Sequence, residues 1–218
     1  MSPDARTTIL VFAKAPDPGK VKTRLASHIG EGPAAVLAAR LALRTLATAC
    51  EAGVGDVELW CAPDTVHPFF DVCRRRHGVA LHGQVGDDLG ARMSHALSSA
   101  LQRTPAAILI GSDIPGLSPD DLRLAAASLA AGGDAVFGPA EDGGYWLIGL
   151  TKVDEAIFAD MPWGGSNVLS ATRERCRALG WSVTEIATRW DVDRPEDFER
   201  LRQDPTFAAL TVAFQNAA

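Results

Sequence analysis

Lys14, Lys20, Lys22 and Arg24 put four cations into eleven residues of a chain whose net charge is −6. They follow an apolar run, residues 9–13. They share their loop with Pro16, Pro18 and Gly19, which stiffen it in two places and free it at one. Fixed cations in a turn-rich loop behind a buried strand are a means of holding phosphates in α/β proteins. The loop matches neither G-x-x-x-x-G-K-[ST] nor G-x-G-x-x-G, which sets aside the P-loop and the dinucleotide fingerprint. A solvated basic turn is the plainer account of such a run, and the apolar strand before it is what argues for a ligand.

Three acidic segments supply complementary chemistry. In Gly111-Ser112-Asp113-Ile114-Pro115, Asp113 follows an apolar run at the end where ligands of open α/β sheets bind. A carboxylate there suits Mg²⁺ against a diphosphate, since Mg²⁺ takes one or two carboxylates plus substrate oxygens. Ser112 adds a hydroxyl. The competing role for Asp113 is to cap the turn before Pro115. In residues 138–146, Glu141 and Asp142 precede Gly143, Gly144, Tyr145 and Trp146. The glycines admit a ligand close to the backbone, the aromatics stack on rings, and a carboxylate binds sugar hydroxyls or acts as general base. A plain hairpin turn is the alternative. In residues 190–198, Asp191 and Asp193 alternate along an extended segment and so fall on one side. Asp193 alone reads as a helix cap; taken with Asp113 it makes a shared divalent-metal site.

Weaker signals complete the set. Met161-Pro162-Trp163-Gly164-Gly165-Ser166 suits an acceptor-side loop through Trp163. Gln84 and the turn at 87–90 read chiefly as a helix cap. The five histidines have no ligand-like spacing, and no Ser-His-Asp order or nucleophile elbow is present.

The elements that must position these groups alternate. Strands are expected at 7–13, 54–61, 79–82, 106–111, 134–138, 145–150 and 182–186. Helices are expected over 21–50 with a break at Gly30 and Gly32, and at 68–77, 89–103, 118–131, 166–179 and 195–203. Asp87 or Asp88 suits the cap of the fourth of these. Ser118, Pro119 and Asp121 make a near-capping box for the fifth. This order predicts an α/β fold with a mostly parallel sheet in one domain spanning 1–218. An apolar content of 47% supports a full core. The acidic balance argues against nucleic acid as a partner. The apolar stretch 33–50 carries Arg40 and Arg44, so it reads as a buried helix and not a membrane span. No signal peptide is expected, and Cys50, Cys61, Cys73 and Cys176 lack metal or disulfide spacing. Reduced thiols in a cytoplasmic protein are the expectation.

Together, F-A-K-A-P-D-P-G-K-V-K-T-R-L, Q-V-G-D-D-L-G-A-R-M, G-S-D-I-P-G-L, G-P-A-E-D-G-G-Y-W-L-I-G-L and D-V-D-R-P-E-D-F-E-R-L resemble a family of small bacterial transferases. These are the nucleotide-diphospho-sugar transferase-like proteins, some labelled arsenosugar-biosynthesis glycosyltransferases and associated with radical-SAM proteins. The resemblance implies a GT-A-type fold, a three-layer α/β/α sandwich that binds a nucleotide diphosphate. It also implies that Asp113 and Asp193 hold Mg²⁺ or Mn²⁺. The chain departs from the wider superfamily in two places: it lacks a G-G-x-G-x-R loop, and Gly111-Ser112-Asp113 is not a D-x-D.

Three functions follow as expectations. The first is metal-dependent transfer of a sugar from a nucleotide-diphosphate sugar to a small-molecule acceptor. In it Lys14, Lys20, Lys22, Arg24 and Ser112 hold the nucleotide, Glu141 or Asp142 serves the sugar or acceptor hydroxyl, and Gly143, Gly144, Tyr145 and Trp163 line the acceptor loop. The second is nucleotidyl transfer from an NTP with release of pyrophosphate. The third is a nucleotide-binding subunit without turnover.

Overall fold

The computed structural model describes residues 7–211. Its strands are β1 (Thr7–Lys14), β2 (Val57–Ala62), β3 (Ala80–Gly83), β4 (Ala106–Gly111), β5 (Ala135–Pro139), β6 (Tyr145–Leu150) and β7 (Val183–Glu185). They form one sheet in the order β3-β2-β1-β4-β6-β5-β7. β1 pairs in parallel with both β2 and β4, β2 with β3, and β5 with β7; β6 runs antiparallel to β4 and β5. The mostly parallel mixed sheet expected from the alternation is therefore present.

The helices are α1 (Thr23–Ile29), α2 (Glu31–Ala52), α3 (Pro68–His77), α4 (Leu89–Leu101), α5 (Pro119–Ala130), α6 (Val168–Ala178), α7 (Pro195–Gln203) and α8 (Ala208–Thr211). Strand alternation divides them into layers, because successive side chains face opposite sides. Ile9 and Val11 of β1 pack with Ile108, Ile110, Leu46, Phe70 and Leu122, on the face covered by α2, α3 and α5. Leu10 and Phe12 pack with Leu109, Phe137, Met93, Leu97 and Leu169, on the face covered by α4 and α6. A third cluster joins Leu25, Leu37 and Leu41 to Val192, Phe198 and Leu201, so the segment from Trp190 to Leu210 packs against α1 and α2.

Local chemistry sets the boundaries. The predicted helix over 21–50 is two helices broken at Gly30, whose φ of +92° suits glycine. The first begins at Thr23, with Lys22 before it in the left-handed region at φ +46°. Asp88 caps α4 by accepting from Ala91 N at 2.8 Å. The near-capping box of α5 is a full one: Ser118 Oγ accepts from Asp121 N, and Asp121 Oδ2 accepts from Ser118 N at 2.9 Å. Asp193 does not cap α7. Asp197 instead accepts from the backbone N–H groups of Asp193 and Arg194, at 3.0 and 2.7 Å. The helix α2 has the length and composition of a membrane span, but its apolar residues include Leu37, Leu41, Leu46 and Ala49, all buried. Cys61, Cys73 and Cys176 are buried, Cys50 is exposed, and all four are free.

Candidate active site

The sheet's connections reverse direction at β1. The chain leaves β1 toward β2 and β3, then returns to β4 on its other side. Ligands of open α/β sheets settle outside the carboxyl ends of strands at such a switch. Two pockets flank it here.

The pocket beside β4 encloses about 310 Å³. Asp113 enters it from the loop after β4, Asp142 from the turn between β5 and β6, and Asp191 from the segment before α7. Tyr145, Trp146, Trp163 and Gly144 supply the remaining wall. Burial pushes the Asp191 carboxyl up to about 6, and the negative charges of Asp142, Asp113 and Asp193 push the same way. Asp142 Oδ1 accepts from Gly144 N at 2.9 Å, which fixes its turn. Gly143 is required there: its φ is +91°, and a Cβ would lie 2.0 Å from Ser166 O. Trp163 stacks over Gly90, where a Cβ would meet its ring at 2.7 Å. The Trp163 indole N–H is buried and finds no partner among the described residues. Burial also pushes the Tyr145 phenol upward.

The pocket beside β2 encloses about 280 Å³ and is lined by Lys14, Asp17, Lys20, Gln84 and Arg92, with Ala15, Ala62 and Pro63 as its apolar wall. Arg92 is held by its Nε, which donates to Gly86 O at 2.9 Å. Gln84 donates to Trp60 O at 2.9 Å, which ties it to β2.

The basic loop is thus divided. Lys14 and Lys20 line the second pocket. The Lys22 side chain is buried, only 3% exposed; its ammonium donates to Asp113 Oδ1 at 2.7 Å and to Val192 O at 2.5 Å. Arg24 reaches Asp193 Oδ2 at 2.8 Å, with both side chains partly exposed. Of the expected metal pair, Asp113 lines the acidic pocket together with Asp191, and Asp193 binds Arg24 while Val192 between the two acids enters the third core cluster. Glu141 also lies outside the acidic pocket. Arg200 binds it in a fork, at 2.8 and 3.2 Å, and holds its carboxyl below the usual range. Ser112 contributes through its backbone, accepting from Thr45 Oγ1 at 3.5 Å.

The residues that sequence reasoning passed over are Asp191, Arg92, Arg189 and Arg200. Asp191 carried a signal, its alternation with Asp193. Arg92 lay inside a quoted motif without a role. Arg189 had no local signal: its guanidinium binds Asp121 at 3.0 and 2.8 Å across 68 residues.

The carboxylates of Asp113, Asp142 and Asp191 are donors of the type a hard divalent cation takes. Three carboxylates converge and one resists ionisation, which a cation would relieve. Among the described residues no three such side chains form a ready-made metal cage.

A candidate nucleotide-diphospho-sugar transferase from Desulfovibrio desulfuricans G20 is 32% identical, covering 95% of this chain and 94% of that one at a TM-score of 0.84. Glucosyl-3-phosphoglycerate synthase from Mycobacterium tuberculosis, solved with Mn²⁺, UDP and glucosyl-3-phosphoglycerate, is 10% identical over 95% of this chain and 79% of its own, at 0.56. A nucleotidyl transferase from Methanothermobacter thermautotroptrophicus is 16% identical over 90% and 96%, at 0.57. The last two share the fold, which is of the GT-A type expected. No curated protein matches the sequence. The profile of the family described as "Uncharacterized protein conserved in bacteria (DUF2064)" matches residues 45–165, and with the Desulfovibrio likeness along nearly the whole chain it follows that this protein belongs to the DUF2064 family.

Proposed function

We propose that the protein is a transferase that uses a nucleotide, and specifically that it moves a sugar from a nucleotide-diphosphate sugar to a small-molecule acceptor with Mg²⁺ or Mn²⁺. The observation that carries this reading is the pair of pockets on either side of β1: cations on one side, three carboxylates with an aromatic wall on the other. Lys14, Lys20 and Arg92 take the nucleotide end. Asp113 and Asp191 would hold the cation, which supplies charge neutralisation for the leaving diphosphate. Trp163, Tyr145 and Gly144 bound the space left for sugar and acceptor. Asp142 is the carboxylate best placed to accept the acceptor's proton, since its one described bond leaves Oδ2 unengaged among the described residues. Lys22 holds Asp113 in place and neutralises part of the local negative charge.

Nucleotidyl transfer is the second reading. It draws on the cations of the pocket beside β2, Lys14, Arg92 and the Asp17-paired Lys20. The two differ in product. Incubation with Mn²⁺ and panels of NTPs and nucleotide sugars is expected to release a nucleoside diphosphate from a nucleotide sugar. Pyrophosphate from an NTP, with no turnover of any nucleotide sugar, would replace the first reading by the second. Nucleotide binding without either product would leave a non-catalytic binding subunit.

A further inference from the structure

Asp142 and Asp191 reach the acidic pocket from two loops far apart in sequence, and the structure ties those loops together on both flanks. On the inner flank the tie is rigid. Glu141 N donates to Arg189 O and Arg189 N donates to Pro139 O, each at 3.0 Å. The Arg189 side chain is locked to Asp121, itself buried in the capping box of α5.

On the outer flank a single side chain spans the gap. The Arg200 guanidinium, from α7, forks onto both oxygens of Glu141, the residue before Asp142. The same guanidinium lies over the ring of Trp190, the residue before Asp191, 4.3 Å from its centroid. A planar cation that binds a carboxylate in its plane and an aromatic ring on its face can fix two neighbours at once, which lysine cannot do.

We infer that Arg200 is a positioning residue that sets the separation of Asp142 and Asp191 by holding Glu141 and Trp190 together. This rests on the reading that these carboxylates form the working site. It assigns Glu141 a task that differs from acid–base chemistry, since its carboxylate is occupied by the fork. Glu141 and Arg200 are about half exposed, so the pair adds little to global stability. Its effect is local to the two loops.

The experiment uses the full chain with E141Q, R200Q, R200K and W190L. Two quantities are read: amide exchange over residues 139–146 and 187–194, and the Kd for Mn²⁺ from the EPR signal of the free ion. E141Q and R200Q are each expected to speed exchange in both segments and to weaken Mn²⁺ binding about tenfold, the effect usual for a support outside the ligand set. The melting temperature should fall by no more than about 3 °C. R200K keeps the charge without the planar fork and is expected to stay about as loose as R200Q, and W190L is expected to loosen 187–194 as R200Q does. Unchanged exchange in both segments would overturn the inference, as would full wild-type protection in R200K. If the wild type binds no Mn²⁺ while exchange responds as expected, Arg200 keeps its role and the metal-dependent reading is what fails.

Discussion

Burial, reinforced by neighbouring carboxylates, makes Asp191 the residue at which stability and function pull apart. Its folded-state carboxyl is raised to about 6, above the ordinary value of 3.8. The folded protein therefore holds this proton more tightly than the unfolded chain does between those pH values. Stability from this group falls as pH rises from about 4 to about 6 and stays lower beyond. D191N removes that cost. Urea denaturation at pH 7.5 should find the variant more stable than wild type by about 1–2 kcal/mol, a figure discounted for partial exposure. Near pH 4 the two should coincide. Equal stability at both pH values would mean that neither burial nor neighbouring charge disfavours the ionised Asp191 carboxyl. D113A predicts the opposite sign: it strands the buried Lys22 ammonium, and a loss of about 2–3 kcal/mol is expected at pH 7.5 by the same measurement.

At the scale of elements, the pocket wall depends on a missing methyl group. Trp163 lies against Gly90 at the start of α4, where any side chain would enter its ring. G90A should displace Trp163, shift the tryptophan emission, and destabilise the fold by about 1–3 kcal/mol in thermal denaturation. An unchanged spectrum would show that the indole has room elsewhere. Sequence and structure agree best where a periodic pattern or a cap dictates the answer. The run at 106–111 and the Ser118–Asp121 box each read correctly because the forces are local. The strand at 54–61 begins later, at Val57: Gly55 packs against Thr7, where a Cβ would lie 2.2 Å from its carbonyl oxygen, so that stretch serves close approach instead. The carboxylate partnership was not legible for a related reason. Alternation places Asp191 and Asp193 on one side of an ideal strand, but burial of Val192 turns the segment, and Arg24 captures Asp193 from 169 residues away. No window along the chain contains that information.

At the scale of the whole molecule, ligand binding should be visible without any assay of turnover. A nucleotide that joins the pocket beside β2 to the acidic pocket beside β4 binds only the folded state. It raises the melting temperature by mass action, about 2.7 kcal/mol of stabilisation at a hundred times its Kd. A thermal-shift screen is expected to show this for a nucleotide sugar with Mn²⁺ and to lose it in D113A. A shift that survives D113A would place the ligand entirely in the pocket beside β2. The same long reach governs how the site comes into being. The Lys22 ammonium closes on Val192 across 170 residues of chain, so β1 through β4 can pair while this contact has no acceptor. During synthesis, a nascent chain emerging up to Arg92 already carries the residues of the cationic pocket, and the acidic one waits for the final tenth of the described chain. The cationic half is therefore complete in sequence by Arg92, whereas the acidic half is complete only at Asp191, next to the Val192 that the third core cluster holds against α1 and α2.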